Sequence, residues 1–450
     1  LNPDINIVDA RIMLETGIYE GCLSICEGKI AKIGKEPSLP RAERVVDAEG
    51  KLVLPGLVDL HVHFREPGFT HKEDFYTGSC AAVAGGVTTV VDEPNNSPVT
   101  STPDALRDKM RLAQRKALVD YTFSVALYAD TLEQIPVFRE MGVNCFAVFD
   151  MLGDAPTGMD DTGVLLDALS RVKEAEGLAL LNCRESDLVV HVTDRIRGSG
   201  SGTLDDYNAH FPHVAESVGA AKRVLLSHAV GVKAHMREVS TLETVKALRR
   251  LRRYMGGVTA EARPDHLLLN HENTRGLGPY AQQWTPVRRK TDNEALLGAL
   301  RDSVIKVIAS DHATHTEDEK ERGRDNIWDS PPGLPAVETM LPLLLTKVNE
   351  GVLELSTLID AASANPAKVI GQYPRKGCIR VGSDADLVLV DMKAERVIRG
   401  EGLHGKTKWT PFEGWRVKGV PVATYVRGVE AYVDGEAVAA PGHGVFLSAM

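Results

Sequence analysis

The 450-residue chain contains no uninterrupted apolar run near the roughly 20 residues that a membrane helix needs, and no charged N-terminal segment leads into an apolar one. A soluble protein is expected. There are only six cysteines, Cys22, Cys26, Cys80, Cys145, Cys183 and Cys378, with no paired or C-x-x-C spacing. Neither a disulfide framework nor a zinc knuckle is indicated, and a reducing, cytoplasmic setting is expected. An excess of positive charge is also missing: 52 Lys and Arg against 62 Asp and Glu leave a net charge of −10. Such a balance argues against nucleic acid or an anionic membrane as partner. Neither a G-x-G-x-x-G nor a G-x-x-x-x-G-K-[ST] phosphate loop is visible, which counts against nucleotide binding. Small-molecule chemistry is the default for what is otherwise an ordinary globular composition, 43% hydrophobic and 25% charged.

What the chain does have is the run Pro55-Gly56-Leu57-Val58-Asp59-Leu60-His61-Val62-His63-Phe64-Arg65-Glu66-Pro67-Gly68, an apolar strand that delivers two histidines and then an arginine. Alternate residues of a strand share a face about 7 Å apart, so His61 and His63 can reach one metal ion. Strand histidines satisfied by hydrogen bonds are the simpler alternative. A second cluster, Ser310-Asp311-His312-Ala313-Thr314-His315, ends another apolar strand read over Ile305 to Ala309, and it tips the balance toward a metal. His61, His63 and Asp311 are three good ligands for one Zn²⁺ with an open position for water, the pattern of catalytic zinc. Asp311 could then take a proton from that water and return it to a leaving group.

Short alternating strands broken by Gly and Pro fill residues 1–54, with Ile5 to Val8 and Arg11 to Met13 as separate strands, and the same texture returns after 376. Residues 1–54 and 376–450 are expected to pair into one small β-sandwich domain. Between them, over 55–375, apolar strands alternate with helical segments, and serial βα units of this number predict a closed (β/α)8 TIM barrel. In such a barrel the chemistry lies at the strand C-termini, where His61, His63 and Asp311 fall.

His61-Val62-His63-Phe64-Arg65-Glu66-Pro67-Gly68, His71-Lys72-Glu73-Asp74, Ala84-Gly85-Gly86-Val87-Thr88-Thr89-Val90-Val91-Asp92-Glu93-Pro94-Asn95 and Ser310-Asp311-His312-Ala313-Thr314-His315 together resemble class I dihydroorotase, of the amidohydrolase superfamily. The resemblance covers nearly the whole chain. It implies a metal-dependent TIM barrel with a β-sandwich, acting on a cyclic amide in pyrimidine biosynthesis: dihydroorotate plus water to N-carbamoyl-aspartate in the type reaction. Two metals bridged by a carbamylated lysine are implied as well, together with a homodimer. Arg65, Asn95 and His315 match positions that hold the substrate's carboxylate. Alternatively Arg65 pairs with Glu66 or Glu93 at the rim.

The family pattern is broken at the metal centre. Ala147 stands in the place of the bridging lysine, Cys183 is matched to one ligand histidine and Glu238 to another. Asp265 replaces a histidine, Trp284 the substrate-contacting asparagine, and Glu93 a methionine. Cys183 and Glu238 could rebuild a second metal site. Otherwise Cys183 is an inert buried residue and Glu238 pairs with Arg184 or Arg237, leaving a single-metal hydrolase of a small anionic cyclic amide. The competing reading is a non-catalytic homologue serving as structural partner of aspartate carbamoyltransferase. The turn-rich loop from Asp325 to Pro335 is read as lying near the barrel mouth.

Overall fold

The computed structural model describes residues 3–152, 155–200 and 202–449, so positions 1, 2 and 450 of the expected β domain lie outside the described residues. Strands rich in β-branched residues and buried on both faces, such as Val87–Asp92, are what a parallel sheet requires. Seven of them run side by side in chain order: Leu57–His63, Val87–Asp92, Asp120–Ala126, Cys145–Val148, Leu178–Asn182, Lys233–Arg237 and Val258–Ala262. The eighth is interrupted. Val307–Ile308 pairs with the seventh strand and His312–Ala313 with the first, so the barrel closes through a segment that breaks at Asp311. This is the expected TIM barrel.

Strand alternation, broken in the first strand by a register shift between Asp59 and Val62, sorts the core into two layers. Val58, Leu60, Val91, Cys145, Ala147, Leu178, Leu180, Val307 and Ala309 fill the barrel interior, whereas Val62, Val90, Leu181, Met236 and Ile308 pack outward against the helices. Those helices begin at capping residues: Asp74 accepts from the amides of Tyr76 and Thr77, Asp161 from Gly163 and Val164, and Thr241 from Thr244. Three helices, Ser186–Gly198, Leu204–His210 and His213–Val230, separate the fifth barrel strand from the sixth.

The two chain ends meet in one nine-stranded mixed sheet. Leu52–Pro55 joins them, pairing with Ile5–Leu14 on one side and antiparallel to Leu387–Val397 on the other. The two strands expected at Ile5 and Arg11 are one strand with a bulge between Ile7 and Ala10, where Asp9 takes φ 48°. The bulge breaks the alternation, and for that reason the sequence reads as two pieces. Lys376 ties sheet to barrel: its buried Nζ donates to Asp386 at 2.6 Å and to Asp120 at 2.5 Å. No helix among the described residues is long and apolar enough to cross a membrane.

Candidate active site

His61 and His63 leave the first strand on the same face and enter a cavity of about 210 Å³ at the C-terminal end of the barrel. His61 Nδ1 hydrogen-bonds Glu261 Oε1 at 2.8 Å and His63 Nδ1 hydrogen-bonds Asn95 Oδ1 at 2.7 Å. With both Nδ1 atoms tied outward, both Nε2 atoms face Asp311 Oδ1, at 3.2 Å and 2.9 Å. Burial and Arg237 oppose protonation of His61, yet Asp311 and Glu261 outweigh them and push its pKa up to about 9. Two imidazoles oriented by outer oxygens, with one carboxylate, make a donor set that fits one divalent cation.

Among the described residues that line this cavity, no second such set occurs. Ala147 lies in the barrel interior, with only a methyl group to offer. Cys183 does not line the cavity, contrary to its reading as a possible ligand; it packs in the layer between strand and helices. The physical reason is strand alternation: Leu180 faces the barrel interior, Leu181 packs outward, and the next inward residue is Asn182, which does line the cavity. Burial holds the Cys183 thiol well above its ordinary pKa, so the thiolate a metal wants is disfavoured. Glu238 does reach the cavity, but its partners are Thr285 Oγ1 and Arg263, the latter at 3.4 Å, and neither Arg184 nor Arg237. Arg237 instead pairs with Glu93 at 2.8 Å, buried within the barrel.

Asp311 sits in the break of the eighth strand with φ 47°. Arg65 and Glu238 share that left-handed region, at 63° and 58°. Each such residue costs on the order of 1–3 kcal/mol, and all three line the same cavity, as expected where backbone strain serves to aim side chains. Against the effect of burial, His61, Arg263 and His63 hold the Asp311 carboxyl well below the usual carboxylate range. Burial and the Asp311 charge raise Glu238.

Arg65, Asn95 and His315 all line the cavity, close to Asp311. Arg65 pairs with neither Glu66, which is bound by Lys116 at 2.6 Å, nor Glu93. Its Nε donates to the Thr314 carbonyl at 3.3 Å, its Nη2 lies 3.2 Å from His315 Nε2, and it has no ion pair among the described residues. Burial, with Arg65, Lys72 and Lys320 nearby, lowers the pKa of His315 to about 3, so the ring is neutral. Phe149, Met151, Trp284, Pro331 and Pro332 add apolar surface to the lining, and the Pro332 carbonyl lies 3.0 Å from His315 Nε2. The proline loop thus does form part of the mouth, and Lys320 Nζ holds it through the carbonyls of Pro331 at 2.8 Å and Gly333 at 3.3 Å.

Glu261, Arg263, Arg237 and Asn182 were not marked from sequence. A signal exists for two of them. In Val258-Thr259-Ala260-Glu261-Ala262-Arg263 the polar residues alternate strictly with apolar ones, which puts Glu261 and Arg263 on the inward face.

The pattern of the amidohydrolase family matches residues 52–431. The chain belongs to the amidohydrolase family. Among curated proteins it is similar to the dihydroorotase of Methanosarcina acetivorans, 35% identical over 454 residues covering 99% of this chain and 95% of that one. It is also similar to the dihydroorotase of Halobacterium salinarum, 38% identical over 401 residues, 88% and 90% of the two chains. Among solved structures, the L-hydantoinase (dihydropyrimidinase) of Arthrobacter aurescens superposes with a TM-score of 0.95 at 29% identity, covering 99% of this chain and 100% of that one. This amidohydrolase is dihydroorotase-like in sequence, and a hydrolase by family.

Proposed function

We propose that this amidohydrolase hydrolyses a cyclic amide or ureide bearing a carboxylate, with dihydroorotate and water giving N-carbamoyl-aspartate as the type reaction, and with one Zn²⁺ per chain. The observation that carries the reading is the convergence of His61 Nε2, His63 Nε2 and Asp311 Oδ1, each imidazole fixed by an outer oxygen. A zinc ion held by these three residues supplies Lewis acidity and lowers the pKa of a water molecule. Arg65, with no ion pair among the described residues, offers a guanidinium to the substrate's anionic group, and neutral His315 and the Asn95 amide lie beside it. Phe149, Met151 and Trp284 supply apolar surface for the ring. The relatives named dihydroorotase and the neighbours named hydantoinase support the cyclic-amide class.

The test is elemental analysis of protein purified without chelator, followed by assays on dihydroorotate, dihydrouracil and 5-substituted hydantoins. About one zinc per chain and turnover of a carboxylated substrate are expected; a metal-free chain that turns over none of them contradicts the reading.

A second reading, a non-catalytic partner of aspartate carbamoyltransferase, is favoured by one observation: Ala147 and Arg263 leave no binuclear centre. It expects co-purification with the transferase and a transferase that dissociates when this chain is absent.

A further inference from the structure

Asp311 has no oxygen left over for a proton. Its Oδ1 faces both imidazole Nε2 atoms, at 3.2 Å and 2.9 Å, and is the atom a metal would take. Its Oδ2 accepts from Arg263 Nη1. That guanidinium is fully buried and cannot swing away, because its Nη2 also donates to Asp265 at 2.9 Å, to Gln283 Oε1 and to the Thr285 carbonyl at 3.3 Å. An aspartate engaged at both oxygens can hold a metal, yet is poorly placed to receive and return a proton.

Glu238 is arranged differently. Its Oε2 accepts from Thr285 Oγ1 and lies 3.4 Å from the same Arg263 Nη1, so one guanidinium nitrogen links the two carboxylates. No described group bonds its Oε1, and Glu238 lines the cavity with its backbone at φ 58°. One carboxylate oxygen is pinned, and the other has no partner among the described residues in a side chain that lines the cavity. A general base needs that geometry: a fixed carboxylate with one free lone-pair oxygen within reach of the reacting water.

We propose that in this chain Glu238, and not Asp311, is the general base and acid of the hydrolysis, while Arg263 reserves Asp311 for the metal. The inference rests on the hydrolase reading above. Glu238 Oε1 takes a proton from water as the water oxygen bonds to the amide carbonyl carbon. The same proton then passes to the ring nitrogen as the C–N bond breaks and its electron pair moves to nitrogen. The ring opens to a carboxylic acid, which gives the second water proton to solvent and becomes a carboxylate, and to an amine nitrogen from an amide or a ureido nitrogen from a ureide, and Glu238 is ionised again. No co-reactant beyond water is needed.

The test compares full-length variants loaded with Co²⁺, on whichever of dihydroorotate, dihydrouracil and 5-substituted hydantoins the wild type turns over. Glu238→Gln is expected to bind one Co²⁺ per chain like the wild type, to keep KM within a few-fold, and to lose at least about 100-fold in kcat. Glu238→Ala is expected to recover turnover with added formate, which a merely structural role would not allow. Asp311→Asn is expected to lose Co²⁺. If Glu238→Gln does not fold, Glu238→Asp takes its place, with turnover between the wild type and Glu238→Ala. Wild-type kcat in Glu238→Gln, loss of Co²⁺ from it, or no formate rescue overturns the proposal while leaving the hydrolase reading intact. A wild type that turns over no probe overturns both.

Discussion

Glu261 Oε1 hydrogen-bonds His61 Nδ1 at 2.8 Å, two strands away round the barrel. Its other oxygen bonds His235 Nε2, also at 2.8 Å, so one buried carboxylate orients His61, a candidate metal ligand, and anchors itself on a third strand. An outer carboxylate of this kind sets the tautomer and basicity of the ligand. Glu261→Gln keeps the shape and removes the charge. We expect Zn²⁺ affinity to fall by about 10- to 100-fold with the fold retained, measured by competition with a chromophoric chelator and by circular dichroism.

Arg65 is the cavity's cation without a carboxylate partner among the described residues. Arg65→Met is expected to raise KM for a carboxylated cyclic amide by about 10- to 100-fold, the loss of a charge-assisted pair worth roughly 1.5–3 kcal/mol. The same variant should affect an uncharged hydantoin far less. Steady-state kinetics on the two substrates side by side check this; equal losses would mean that Arg65 does not read the anion.

Lys109 lies fully buried behind the cavity wall, its Nζ 2.6 Å from Asp92 Oδ2, 2.6 Å from the Glu93 carbonyl and 2.8 Å from Asn96 Oδ1. Lys109→Met leaves Asp92 charged and unpaired in the core. A stability loss of about 3–5 kcal/mol is expected by urea denaturation, against less than about 1 kcal/mol for the exposed pair Arg107 with Asp104.

Acid should act through His210, whose pKa is lowered by burial, and by Arg184, Arg288 and Arg197, to about 4. The unfolded chain binds a proton there near pH 6.5 and the folded chain does not until about pH 4, so stability rises with pH across that window and falls as pH drops through it. His210 contributes at most about 3 kcal/mol of this loss. Thermal melts of wild type and His210→Gln at pH 7 and pH 4.5 check it: the variant should lose less stability between the two.

The sequence by itself determined the features that local periodicity controls. Alternation along Leu57–His63 puts His61 and His63 on one face, and the succession of apolar strands and helices dictates a parallel barrel with those histidines at its active end. Glu261 and Arg263 were within reach of the same reasoning, because their strand alternates strictly between apolar and polar residues. Cys183 against Asn182 was not. One residue of register decides which of them faces the cavity, and similarity of short motifs does not resolve a shift of one. Only barrel closure decided the rest: Asp311 reaches His61 and His63 because the eighth strand pairs back to the first, and Arg263 meets both Asp311 and Glu238 because three strand ends converge there. Periodicity acts over a few residues of chain, whereas these partners lie tens to hundreds of residues apart and are brought together by the curvature of the closed sheet.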